Sequence, residues 1–306
     1  MTSDSESAAP APEPGKPAAA GTAPVPEEPK KESWWSFARF LLLLFLGMLI
    51  LRSCILAPFS IPSGSMMPTL LTGDYLFVSK WSYGYSRYSF PFGIINFEGR
   101  VMGGVPERGD IVVFRHPGPG DQDWVKRVIG LPGDQIEIRG GVPVVNGQPV
   151  QRERIADFVL PVSENSPCQP GPGLVTRRIT TQDGQAACSY PRFRETLPGG
   201  RSYEVLDQIQ DVASRRNVDD LTPAGADNVA PFKVPEGHVF AMGDNRDDSM
   251  DGRFPMSVGG VGMLPIENIQ GRAFISFFST DGSAEWLLPW TWFSAARWSR
   301  IGQTYP

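Results

Sequence analysis

DWVKRVIGLPGD, residues 123–134, decides how this chain folds. Read as a strand, it puts Lys126 on one face with Trp124 and Val128, and Arg127 on the other with Val125 and Ile129. Pro132-Gly133-Asp134 then turns the chain back. The same grammar of short β-branched and aromatic runs between turn signals recurs on both sides: DYLFVSK at 74–80, DIVVFR at 110–115, DQIEIRG at 134–140, VPVVNGQPV at 142–150 with its Asn146-Gly147 turn, HVFAMG at 238–243 and GRAFISFF at 271–278. Few segments repeat at helical spacing. The expected fold is therefore mainly β, an antiparallel β-sheet body over residues 58–306. Between 139 and 235 the texture changes to long polar stretches, which read as an inserted, smaller and variable β-lobe.

Upstream of the body lies the chain's one long apolar run, WWSFARFLLLLFLGMLILRSCILA at 34–57. Its unbroken centre is short, so it spans a bilayer only if Arg39 and Arg52 snorkel and Trp34 and Trp35 sit at the interface. Lys30, Lys31 and Arg39 precede the centre and only Arg52 closely follows, which orients the N-terminus to the cytoplasm and the body outside. Residues 1–33 hold no aromatic residue and only Val25 as a branched aliphatic; they read as a disordered cytoplasmic tail. A net charge of -5 with scattered basic residues leaves no footprint for nucleic acid. Cys168 and Cys188 are the only cysteines of the body, either a disulfide in an oxidising compartment or two free thiols. The C-terminal SAEWLLPWTWFSAARW is either core or a patch lying on the bilayer.

The chemistry must come from few residues. His116 and His238 are the only histidines, and both stand in loop-forming contexts. A lysine is the other base available to a serine nucleophile, and Lys126 is flanked by apolar bulk that disfavours its charged form. The segment IPSGSMMPTL at 61–70 supplies a partner: Pro62 fixes the backbone, Gly64 permits an unusual dihedral or close approach, and Ser65 follows. Ser65 can attack a carbonyl while its own N–H and the Ser63 hydroxyl face the developing oxyanion; an ordinary turn is the plainer reading. A third cluster, GDNRDDSMDGR at 243–253, partly mimics a calcium loop, but Val258 stands where the bidentate glutamate belongs. No metal and no cofactor are expected. The cluster reads instead as a scaffold pairing Asp244 with Arg127 and Asp251 with Arg253, with Ser249 offered to a neighbouring amine.

Taken in order, the anchor, IPSGSMMPTL, RGDIVVF at 108–114, DWVKRVIGLPGD and GDNRDDSMDGR resemble the bacterial type I signal peptidases, membrane serine endopeptidases with a serine/lysine dyad. The resemblance implies Ser65 as nucleophile, Lys126 as general base, Ser63 as oxyanion donor and Ser249 as the residue that orients the lysine. It implies Asp244, Arg127, Asp251 and Arg253 as supporting ion pairs. Phe59, Ile61, Pro62, Met66, Leu70, Val125 and Met242 match positions lining the pockets for small substrate residues, hence cleavage after Ala-x-Ala. Implied partners are preprotein signal peptides, membrane lipid and the protein export machinery, at the bacterial cytoplasmic (inner) membrane with a periplasmic or extracellular body. Asp248 departs from the family's frequent Asn, Gly252 from its frequent Ser, and a single anchor replaces the pair of some relatives. A pilus- or conjugation-subunit maturation peptidase built on the same dyad, or an inactive peptide-binding scaffold, are the alternatives.

Overall fold

Leucines and phenylalanines without an interior proline make Trp34–Ile50 a helix, α1, none of whose residues is buried. It passes into a π-helical turn, Leu51–Ile55, and ends as Pro58 approaches, because proline removes a donor and biases its predecessor toward extended backbone. Together Trp34–Ile55 is 22 residues, long and apolar enough to cross a membrane. The expected boundary at residue 57 falls inside a strand. The computed structural model describes residues 34–90, 97–168, 176–208, 226–285 and 287–305; the expected tail at 1–33 lies outside the described residues. The chain divides into Met1–Phe45 and Leu46–Pro306, the second containing all the strands.

The strands run, in chain order, β1 Leu56–Ser60, β2 Asp74–Ser79, β3 Tyr85–Ser86, β4 Arg100–Val101, β5 Ile111–Arg115 and β6 Asp123–Gly130. Then follow β7 Gln135–Arg139, β8 Val142–Val145, β9 Gln148–Pro149, β10 Gln151–Pro161, β11 Arg177–Thr180, β12 Ala186–Thr196, β13 Ser202–Leu206 and β14 Val229–Lys233. The last three are β15 His238–Met242, β16 Leu264–Pro265 and β17 Ile269–Ser279. A seven-stranded antiparallel sheet, ordered β1-β2-β17-β5-β6-β15-β16, carries the body. In it Lys126 pairs with Val112 and Arg127 with Ile111, while Met242 of the neighbouring β15 pairs with Arg127. The mainly antiparallel β fold read from the alternation is the fold observed.

Alternation decides the core. On β5, Ile111 and Val113 join Ile61, Met66, Leu70, Leu76 and Val125 on one face, while Val112 and Phe114 join Val128, Val239 and Leu264 on the other. A third cluster packs Ile129, Phe240 and Met242 against Ile136, Ile138, Val145, Tyr203 and Val205. That cluster joins the main sheet to the inserted region. Strands β7 to β14, which overlap the expected insertion at 139–235, form two four-stranded sheets, β14-β7-β8-β9 and β10-β12-β11 with β13 beside β12, that share their core with the main sheet. Cys168 and Cys188 are joined by a disulfide within the inserted region. At the C-terminus a short helix, α2 Pro289–Ala295, leaves Trp290, Phe293 and Trp298 exposed, so for these residues the core alternative does not hold; Trp286 lies outside the described residues.

Candidate active site

The loop after β1 folds back so that Met67 N donates to Gly64 O at 3.0 Å and Leu70 N to Met66 O at 2.9 Å, seating Met66 and Leu70 in the core and turning Ser65 toward β6. Lys126 Nζ lies 2.9 Å from Ser65 Oγ and donates to Val125 O at 3.0 Å. Both residues are buried, the lysine 3 % exposed. Burial lowers the lysine to about 8; Asp251, Asp244 and Asp248 oppose that shift without cancelling it. Its amine also stands 5.2 Å from the Trp124 ring, on the face that strand alternation assigns to both. Ser63 Oγ is 3.4 Å from Ser65 Oγ on the exposed side of the loop.

Of the two readings of Gly64, an unusual dihedral or a close approach, the first does not apply, since its φ is not positive. Its need is space: a Cβ there would meet Met67 Sδ at 3.1 Å and Asp248 Oδ2 at 3.3 Å. Gly243 is more constrained, since a Cβ would fall 2.6 Å from Ser65 O and 2.2 Å from Ser249 Oγ. The loop 243–253 can therefore approach the serine only with glycine at its start. It holds that serine from behind, Asn245 N donating to Ser65 O at 3.0 Å and Asn245 Nδ2 to Gly64 O at 3.1 Å.

A bidentate ion pair locks three segments together. Arg127 Nε donates to Asp244 Oδ1 at 2.8 Å and Nη2 to Oδ2 at 2.7 Å, while Thr69 Oγ1 donates to the same carboxylate at 2.5 Å. Arg127 Nη1 reaches Gly109 O at 2.8 Å. Burial alone would lower this guanidinium, but Asp244 outweighs it and holds it above the ordinary arginine value. Asp251 accepts from Gly243 N at 2.9 Å and from Arg253 Nε at 2.9 Å, bracing the loop against itself. Sequence reasoning left Thr69 and Asn245 without roles, although both lie in the segments it singled out. It missed the buried pair Arg246–Glu195, which fastens the same loop to β12.

Other expectations need correction. Ser249 Oγ is buried without a hydrogen-bond partner among the described residues, so the bond to the lysine amine is absent. Phe59, Ile61, Pro62 and Val125 line a cleft of about 490 Å³ together with Ser63, Ser65 and Lys126. Met66, Leu70 and Met242 do not: they are fully buried in clusters behind the wall, because the loop and strand turn these side chains inward. Neither histidine serves Ser65. His116 Nε2 is 3.2 Å from Gly260 O, Nδ1 accepts from Gly118 N, and the ring packs 4.4 Å from Trp124; His238 Nδ1 lies 3.0 Å from Glu236 O. Among the described residues no group of three or more His, Cys, Asp or Glu is arranged to hold a metal ion.

Known proteins resemble the chain over most of its length. The family described as signal peptidase, peptidase S26, matches residues 34–278. Signal peptidase I of Rickettsia akari (strain Hartford) is 36% identical over 255 residues, 82% of this chain and 80% of that protein. Signal peptidase I of Rickettsia typhi (strain ATCC VR-144 / Wilmington) is 37% identical over 248 residues, 80% of each chain. A crystal structure of a signal peptidase I from Enterococcus faecalis V583 matches 55% of this chain and 95% of its own at 22% identity, with a TM-score of 0.26, too loose to bear on the argument. With a family match running from the apolar helix through the last long strand, and relatives this similar over four-fifths of their length, the chain belongs to the signal peptidase family, peptidase S26.

Proposed function

We propose that this signal peptidase cuts preproteins with Ser65 as nucleophile and Lys126 as general base. The observation that carries the proposal is the 2.9 Å approach of a buried amine, lowered to about 8, to the serine hydroxyl. Ser65 Oγ attacks the scissile carbonyl as its proton passes to Lys126 Nζ; the oxyanion faces the Ser65 N–H and the Ser63 hydroxyl. Collapse breaks the C–N bond, the lysine returns the proton to the leaving amine, and an acyl-enzyme on Ser65 remains. Water, deprotonated by the same amine, then hydrolyses the ester. Phe59, Ile61 and Val125 crowd the cleft beside the nucleophile with apolar bulk, which favours small residues before the cut, as in Ala-x-Ala.

Trp34–Ile55 is the membrane anchor in this reading, crossing the cytoplasmic membrane once with residues 1–33 inside and the body outside. The lysine and arginine asymmetry and the disulfide Cys168–Cys188 support that orientation, since disulfides persist in oxidising compartments. Ser65 follows the end of the span by ten residues, so the nucleophile stays close along the chain to the bilayer where a signal peptide is presented. Ser65→Ala and Lys126→Ala should each abolish cleavage of a purified preprotein in detergent while leaving the circular dichroism spectrum unchanged. Normal processing by either variant removes the dyad.

A further inference from the structure

The loop 243–253 carries four carboxylates, and three are committed to the scaffold. Asp244 is bonded to Arg127 and Thr69, Asp251 to Arg253 and Gly243, and Asp247 Oδ2 accepts from Gln208 N at 2.5 Å. Asp248 is different. It is exposed, it lines the cleft, and its side chain has no hydrogen bond or ion pair among the described residues. It also lies against the residue preceding the nucleophile, its Oδ2 3.3 Å from the position of a Gly64 Cβ.

The charges of the cleft make that carboxylate conspicuous. Three ionisable residues line it: Asp123, Lys126 and Asp248. Asp123 is ion-paired with Arg115 Nε at 2.8 Å, a guanidinium it shares with Asp121, and accepts from Gln270. Lys126 acts as a base only while uncharged. Of the two carboxylates lining the competent cleft, Asp248 is thus the one with no cation or hydrogen-bond donor against it among the described residues. A peptide filling the cleft strips water from this carboxylate and must replace it. A cationic side chain does so with attraction; an acidic one adds repulsion.

We infer that Asp248 is a specificity-determining residue, its carboxylate forming a subsite for a basic side chain of the preprotein close to the scissile bond. This rests on the dyad reading of the same cleft. It acts on substrate choice and not on proton transfer, so it is read from ratios between substrates at one pH. The full-length chain in detergent micelles is given a preprotein in which Lys, Gln or Glu is placed in turn at each position flanking the cut. At one position or more, wild type should favour Lys over Glu by about five-fold in kcat/KM, the scale of a solvent-open ion pair, and the preference should shrink in high salt. Asp248→Asn, close in size, should bring that ratio near one, and Asp248→Lys should invert it. An unchanged Lys-to-Glu ratio in Asp248→Asn at every position overturns the subsite. If that variant still cleaves the parent preprotein, the dyad stands and the subsite alone is lost.

Discussion

A buried lysine is costly to keep, and the cost is measurable at residue 126. The unfolded chain carries this amine protonated up to its ordinary value of about 10.4, while the folded protein releases the proton near 8. Between those values the unfolded state binds the extra proton, so stability rises with pH there; below 8 the full penalty applies, on the order of 3 kcal/mol. Lys126→Met, similar in length and without the charge, should therefore raise the unfolding free energy at pH 7 by about that order while ending cleavage. Its advantage should fade as the pH climbs toward 10.4. Urea unfolding of both proteins at pH 7 and pH 10 checks it, and a variant less stable than wild type at pH 7 contradicts it. Much at this scale was legible in the sequence. Arg253–Asp251 was legible from its short spacing, whereas Ser65 with Lys126 and Arg127 with Asp244, far apart in the chain, were legible because each partner stands in a segment that resembles a family motif. Met66, Leu70 and Met242 were not legible as core, since apolarity says that a side chain is buried and not on which side of a pocket wall.

Among the elements, the loop 243–253 is the hub through which the site is held. It joins the nucleophile loop through Asn245, β6 through Asp244, and β12 through Arg246, whose guanidinium meets Glu195 with both side chains almost wholly buried. Arg246 Nη1 also donates to Gly141 O at 2.9 Å. Burial alone would lower Arg246, yet Glu195 outweighs it and raises the guanidinium further. Truncating one partner leaves a buried charge alone, which typically costs about 3–5 kcal/mol. Arg246→Ala should lose stability on that scale in urea unfolding and lower kcat/KM, although Arg246 touches neither dyad residue; a variant as stable as wild type contradicts the hub. The pair was invisible in the sequence because Glu195 lies on β12, in the inserted region that matched none of the motifs. Of the two outer sheets, β7–β9 were read as strands, while the sheet of β10 was blurred: β10 is mostly exposed or half-buried along its length, so its alternation is weak and reads as polar loop.

At the scale of the whole molecule, the apolar helix and the exposed C-terminal aromatics are the features that bear on a membrane. The apolar helix was plain from composition; its helical part closes at Ile55, and Leu56 and Ala57, which suit a strand as well as a helix, open β1. The exposed aromatics of the C-terminal segment, Trp290, Phe293 and Trp298, lie on the same unit as the catalytic cleft. Indole rings favour the headgroup level, where an apolar body and a polar N–H are both accommodated. In proteoliposomes holding the full chain, brominated lipid should quench tryptophan emission, and Trp290→Phe with Trp298→Phe should remove part of the quenched signal. Equal quenching in the variant contradicts a lipid contact at this segment.

All of this depends on a neutral amine at Lys126 activating the hydroxyl of Ser65. The most direct measurement is the rate of acyl-enzyme formation on Ser65, followed by intact mass after rapid mixing with a preprotein substrate from pH 5 to pH 10. The rate should rise along a single-proton limb with its midpoint near 8 and should vanish in Lys126→Ala. An acyl group that forms on Ser65 at a pH-independent rate, survives Lys126→Ala, or appears on another residue would contradict it.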